Sequence, residues 1–229
     1  MSSPKTIIAF HLYGTLLSTD SVTGELAKSV GDEAAKELST LWRRYQLEYT
    51  WRINQQHGDI TRASLLHAAN EMKLTLTTEA VARAMLAYDA LHVFPGVDFA
   101  FNAFQEMLNA SLYNSPDLKP LAGWFEGAVS VEDAKVFKPD RKAYDHLLKV
   151  VGMKGRTSDV WLVSANPFDA LGAVAAGLRS CWVDRTGTGW IDRLGSVIGE
   201  DLSPTSVASS VDEAVHMILD TRPKFREKT

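Results

Sequence analysis

The chain has 229 residues, with 24 Lys+Arg against 28 Asp+Glu, a formal net charge of −4 and 45% hydrophobic residues. That is the profile of a soluble globular protein able to bury a sizeable core; without a strongly basic stretch it excludes a nucleic-acid partner, and without a run of ~18 apolar residues it excludes a transmembrane helix. The single cysteine, Cys181, permits no internal disulfide and no Cys-rich zinc site.

The chain opens with Met1-Ser2-Ser3-Pro4-Lys5 and a short apolar run that ends at His11. That run is too short for a secretory signal, so a cytoplasmic protein is expected. Ile7 to Phe10, followed by His11-Leu12-Tyr13-Gly14-Thr15, reads as a buried strand and its exit loop. Residues 22–92 then read as almost entirely helical. Leu38, Leu41, Trp42, Tyr45, Leu47 and Tyr49 recur near helical spacing. After Gly58, Asp59-Ile60-Thr61 starts a helix over Arg62–Met72, and Thr77-Thr78-Glu79 starts another to about Leu91.

From Pro95-Gly96 onward strands and helices alternate. The pattern predicts a helix over Val97–Leu108, a strand over Ala110–Tyr113 ended by Asn114, and a brief helix over Leu118–Trp124. A strand follows at Gly127–Val131, and Pro139-Asp140 opens a helix to Val151. Val160–Val163 is a strand, Phe168–Ala176 a helix, Ser180–Val183 a strand, Val207 a last short strand and Val211–Leu219 a helix, with a frayed tail from Pro223. Such alternation gives an α/β fold, a doubly wound parallel sheet, with helices inserted after the first strand as a cap. The expected division is a core of 1–20 and 93–229 with a helical cap of 21–92. In such sheets chemistry sits at the carboxyl ends of the strands, which directs attention to His11–Thr15, Tyr113–Ser115, Lys138 and Ser164–Asp169.

At and around those strand ends stand Phe10-His11-Leu12-Tyr13-Gly14-Thr15-Leu16, Leu41-Trp42-Arg43 and Gln46-Leu47-Glu48-Tyr49-Thr50-Trp51. They are followed by Phe137-Lys138-Pro139-Asp140 with Tyr144, Val163-Ser164-Ala165-Asn166-Pro167-Phe168-Asp169, and Cys181-Trp182-Val183-Asp184-Arg185-Thr186-Gly187. In these stretches the sequence resembles the haloacid dehalogenase superfamily in its 2-haloacid dehalogenase branch, whose order they keep over nearly the whole chain. The resemblance implies a Rossmann-like core with a cap, a site between them, and a small organic acid or carbonyl compound as substrate. It also implies roles: Lys138 as the motif lysine, Ser164, Asn166 and Asp169 to place water and hold that lysine, and Arg43 with Asn114 to bind an anion. Tyr13, Thr15, Tyr113, Tyr144 and Phe168 would line the pocket. Homodimers through cap or core helices are an expectation of the same kind.

One departure outweighs the matches. The family's nucleophile is an aspartate, and the matching position here is His11. A carboxylate that displaces halide leaves an ester whose acyl carbon water can attack. An imidazole doing the same would leave an N-alkyl imidazolium with no such carbon, and turnover would stop. His11 is better suited to general acid/base chemistry, because an unperturbed imidazole titrates at about 6.5 and both forms are available at neutral pH. Lys138 nearby favours the neutral form. The second motif differs as well, placing Tyr113 before Asn114 where the family has a small hydroxyl residue, which suits a larger substrate.

No cofactor is expected. The metal-dependent branch of the superfamily uses paired carboxylates where this chain has His11 and Tyr13, with Asp169 alone in the fourth motif, so neither Mg²⁺ nor phosphoryl transfer is expected. The first reading is an enzyme in which His11 acts as acid/base in dehydration, isomerisation, cyclisation, ring opening or water activation. The second is hydrolysis of a 2-haloacid or epoxide acid by direct attack of water. The third is an inactive binding or regulatory relative. Asp20 is a weak candidate for a substitute carboxylate. His57, His67, His92, His146 and His216 read as structural or surface residues without partners, Cys181 as buried and inert, and the Trp42, Tyr45, Tyr49 stripe as packing. Asn109-Ala110-Ser111 fits a glycosylation sequon but lacks a signal peptide to give it meaning.

Overall fold

The structure is a computed structural model, and it describes residues 6–53, 60–97, 127–131, 133–198 and 202–221. Strand β1 (Ile7–Phe10) pairs in parallel with β4 (Val160–Ser164), β4 with β5 (Arg179–Val183), and β5 with β6 (Ser206–Ala208). The resulting order is β1-β4-β5-β6. Side-chain alternation divides the sheet's two faces. Ile7, Val160 and Leu162 pack against α5 (Arg141–Val150) and α6 (Pro167–Ala175) through Tyr144, Leu148 and Ala173. Ile8, Trp161, Val163, Cys181 and Val183 face the other way, toward α8 (Val211–Asp220) and the inserted helices. A parallel sheet whose strands are apolar on both faces needs that double cover.

The insertion holds α1 (Asp20–Val30), α2 (Asp32–Ile53), α3 (Ile60–Glu71) and α4 (Thr78–Tyr88). Thr77 caps α4 as its spacing suggested, its hydroxyl accepting from Ala80 N–H at 3.1 Å. The helix stops three residues before Leu91, because the chain must re-enter a two-stranded antiparallel ribbon. In that ribbon β2 (Leu17–Ser18) pairs with β3 (His92–Val93), where outgoing and returning chains meet. Leu26, Leu38, Trp42, Leu65 and Ala84 are buried and join the core of the sheet's inner face. A further short helix, α7 (Leu194–Ile198), precedes β6.

The strand expected at Gly127–Val131 is not formed: only Gly127 makes a bridge and Val131 is in a turn. Gly127, Ala128 and Ser130 offer little side-chain surface for a pleated strand. The expectations for 98–126, including the strand carrying Tyr113 and Asn114, lie outside the described residues, as do His57 and the tail from residue 222. Cys181 is fully buried, and Trp42 and Tyr45 are buried as packing residues. His67 has partners, contrary to expectation, and two further histidines lie near carboxylates. His67 stacks on Tyr45 at 3.9 Å and meets Tyr49 Oη through Nδ1 at 2.6 Å. His146 and His216 lie 3.9 and 3.7 Å from Asp133 and Asp212. The i,i+4 spacing of Asp212 and His216 on the predicted last helix was readable from the sequence, whereas the neighbours of His67 and His146 come from other segments.

Candidate active site

The backbone N–H of His11 donates to Val163 O at 2.9 Å, extending the β1–β4 ladder by one residue. The imidazole therefore leaves the sheet at its carboxyl edge. The chain then tightens around Leu12, whose carbonyl accepts from the amides of Thr15, Leu16 and Leu17 at 3.2, 2.8 and 3.0 Å. Gly14 makes this turn possible with φ of +79°, a conformation side chains disfavour. Thr15 is fully buried, and its Oγ1 accepts from Ala165 N–H at 2.9 Å, joining the loop after β1 to the loop after β4.

The end of β4 and its exit loop supply two of the predicted residues, Ser164 and Asn166. Ser164 is fully buried and its Oγ accepts from Asn166 N–H at 3.2 Å. Asn166 stands at the N-cap of α6, yet its side chain reaches His11 Nδ1 at 2.8 Å and donates to Tyr13 O at 3.3 Å. A carbonyl can only accept, so the Asn166 atom facing both is the amide nitrogen. His11 Nδ1 is then an acceptor, and this network assigns the ring proton to Nε2.

Below His11 lies a charged pair. Asp169, in the first turn of α6, is fully buried. It accepts from Lys138 Nζ at 2.9 Å, and the Tyr144 hydroxyl lies 3.0 Å from its Oδ1 and 3.2 Å from its main-chain O. Burial alone would raise the Asp169 carboxyl; Lys138, then His11, and the two hydrogen bonds outweigh it and hold it below the usual carboxylate range. Burial, followed by the adjoining Asp169 charge, pushes the Tyr144 hydroxyl well up, so it is a permanent donor. The same packing explains Gly172: a Cβ there would overlap the Tyr144 hydroxyl and lie 2.8 Å from Pro139 Cβ.

These surroundings settle the charge of His11. Burial is the largest influence and lowers it; Asp169 opposes, Lys138 and Arg43 lower it further, and the Tyr13 carbonyl raises it slightly. The balance places it at about 4. The ordinary midpoint expected from sequence does not survive burial, and at neutral pH the imidazole is neutral.

The inserted helices supply the opposite wall. On α2, Arg43 Nη1 donates to Gln46 Oε1 at 2.7 Å, and Tyr88 at the end of α4 donates its hydroxyl to the same oxygen at 3.0 Å. Gln46 Nε2 donates to Thr61 Oγ1 at 3.1 Å. The Tyr88 ring stacks on Tyr13 at 5.7 Å and tilts against Trp42 at 5.5 Å. One turn beyond, Trp51 meets Phe168 edge-on at 5.5 Å and donates to Lys138 O at 3.3 Å. Asp20 is exposed at the start of α1.

His11, Tyr13, Thr15, Lys138, Tyr144, Ser164, Asn166, Phe168 and Asp169 thus converge at one edge of the sheet, with Arg43 close enough to act on His11 by charge. Sequence reasoning gave no role to Gln46, Tyr88, Gly172 or Arg185. Arg185 donates to Gly14 O at 2.9 Å and Thr15 O at 2.6 Å, and lies over the Phe94 ring at 3.8 Å. It clamps the loop after β1 to the returning β3 segment. Gln46 and Arg185 stood within quoted motifs; the three-residue spacing from Arg43 to Gln46 on one helix was the available signal for Gln46, and Arg185 had none. Among the described residues no group of three or more His, Cys, Asp or Glu side chains is placed to hold a metal ion, and no helix is long and apolar enough to cross a membrane.

No family model matches the sequence. The haloacetate dehalogenase H-2 of Moraxella sp. (strain B) is 31% identical over 226 residues, covering 92% of this chain and 96% of that protein. The (S)-2-haloacid dehalogenase of Pseudomonas sp. (strain YL) is 30% identical over 197 residues, covering 79% and 83%. A crystal structure of an L-2-haloacid dehalogenase superposes with a TM-score of 0.81 at 25% identity over 95% of this chain and 100% of that one. The fold, the convergence of side chains at its carboxyl edge and this similarity along nearly the whole length agree: the chain belongs to the 2-haloacid dehalogenase family of the haloacid dehalogenase superfamily.

Proposed function

We propose that the protein hydrolyses a small 2-halogenated carboxylic acid, with water attacking carbon directly and His11 acting as the base. Haloacid substrates belong to the named relatives, and the reading is brought to this chain by its retained cluster. The observation that carries the His11 role is a neutral imidazole held by Asn166 beside the Lys138–Asp169 pair. In this reading His11 stands where the family has its aspartate, and the site lies between a cap of 21–92 and a core of 1–20 and 93–229.

The reaction balances without a protein ester. Arg43 receives the substrate carboxylate. The Asn166 amide keeps its second acceptor, Tyr13 O, and releases Nδ1 to a water molecule. The water oxygen bonds to the carbon bearing halogen as the carbon–halogen bond breaks. Its proton passes to Nδ1, halide departs, and the transient imidazolium faces Asp169, whose charge favours it. The products are a 2-hydroxy acid, halide and a proton released when His11 returns to neutral. A general-acid role in the resting site is disfavoured, because a group at about 4 carries almost no proton at neutral pH.

The test is halide release from (S)-2-chloropropionate by the protein and its His11→Ala variant. Steady release that falls by about 100-fold or more in the variant supports the base role. Release at an unchanged rate removes His11 from the chemistry, and absence of release from the unaltered protein refutes the haloacid reading.

A further inference from the structure

Gln46 is 9% exposed and satisfies three polar neighbours at once. Its single carbonyl oxygen takes hydrogen bonds from Arg43 and Tyr88, and its amide nitrogen gives one to Thr61. The arginine of the site is thereby docked on a neutral acceptor. A carboxylate in the same place would hold it more tightly and cancel its charge; Gln46 holds it and cancels nothing. The other end of the arrangement touches the catalytic loop, because Tyr88 stacks on Tyr13, two residues from His11.

We propose that Gln46 is a positioning residue for Arg43: it parks the guanidinium on a neutral acceptor, with no carboxylate paired to it among the described residues, and surrenders it to an incoming anionic group. The choice of an anionic over a neutral substrate is then set by a residue that never touches substrate. When the carboxylate arrives, Arg43 exchanges one neutral acceptor for an ionised one, a stronger hydrogen bond. Gln46 Oε1 keeps Tyr88, so no buried acceptor is left empty and the Tyr88–Tyr13 stack is undisturbed. This deepens the reading of Arg43 as the anion-binding residue and rests on it.

The experiment compares the unaltered protein with Gln46→Glu and Gln46→Met, each first checked for a cooperative melt. Calorimetric affinities are measured near neutral pH for 2-methylpropionate, in which a methyl group that cannot leave replaces chlorine, and for its neutral amide, and the His11 ring is titrated by NMR. Gln46→Glu adds a charge with almost no change of shape. It is expected to weaken acid binding by about tenfold or more, to leave amide binding within about twofold, and to raise the His11 midpoint as the field of Arg43 is cancelled. Gln46→Met frees Arg43 without adding charge, and its loss of acid affinity is expected to be smaller than that of Gln46→Glu.

Equal acid affinity in Gln46→Glu and the unaltered protein, or loss of acid and amide binding to the same extent, would overturn the proposal. So would an unmoved His11 midpoint. If the unaltered protein binds neither ligand, the haloacid reading fails by itself, while the His11 midpoint still reports whether Gln46 sets the charge of Arg43.

Discussion

The neutral state of His11 has a consequence for folding that can be measured without knowing the substrate. An unfolded histidine titrates near 6.5, whereas His11 in the folded protein titrates at about 4. Between those values the unfolded chain binds a proton that the native chain refuses, so stability is full above the window and declines as pH falls through it. The full difference corresponds to roughly 3 kcal/mol, and the part lost between about pH 7.5 and about pH 4.5 to some 2–3 kcal/mol. Asp169 contributes in a separate range, because its depressed carboxyl loses its stabilising effect only below the ordinary carboxylate midpoint. Urea unfolding at the two pH values, on the protein and on His11→Gln, isolates the His11 share by subtraction. The protein is expected to lose about 2–3 kcal/mol more than the variant on acidification. Parallel losses would refute the burial argument, and with it the neutral imidazole.

Other substitutions probe the neighbouring contacts. Asp169→Asn leaves Lys138 without its carboxylate and is expected to cost about 2–4 kcal/mol by urea unfolding; it should also lower the His11 midpoint, and an unmoved or raised midpoint would contradict the field assigned to Asp169. Gly172→Ala forces a Cβ into the Tyr144 hydroxyl and is expected to cost about 1–3 kcal/mol. Adding Tyr144→Phe should recover part of that loss, whereas strictly additive costs would show that the overlap is relieved elsewhere. Thr15→Val strips the acceptor from Ala165 N–H and is expected to cost about 1–3 kcal/mol, read from thermal and urea melts.

Much of this architecture was legible in the sequence for identifiable reasons. Val160–Val163 is apolar on both faces, which only a covered parallel strand tolerates, and Thr77 announced the start of α4 through its hydroxyl. The β2–β3 ribbon escaped because two residues per strand carry no period. The end of α4 was set too late for the same reason, since the helix yields at Tyr88 to pairing that the sequence does not display. Within the site, position at the strand ends and the resemblance to the family pointed to His11, Lys138 and Asp169, and to Lys138 favouring a neutral imidazole, but not to the depth of burial around His11. The ordinary midpoint assumed for His11 gave way to burial, which follows from packing around the residue and not from its neighbours in sequence. Gln46 was hidden differently: helical spacing sets it beside Arg43, but its role also depends on Tyr88 and Thr61, which come from two other helices that no spacing rule joins to it.

In the proposed reaction water, and not the protein, supplies the oxygen that replaces halogen. A single turnover of (S)-2-chloropropionate with excess protein in ¹⁸O-labelled water separates the two sources. One ¹⁸O atom is expected in the 2-hydroxy acid, with no added mass on the intact protein at any time point and no label in its peptides afterwards. A covalent adduct during the turnover, or unlabelled product with ¹⁸O retained in a carboxylate of the chain, would contradict it.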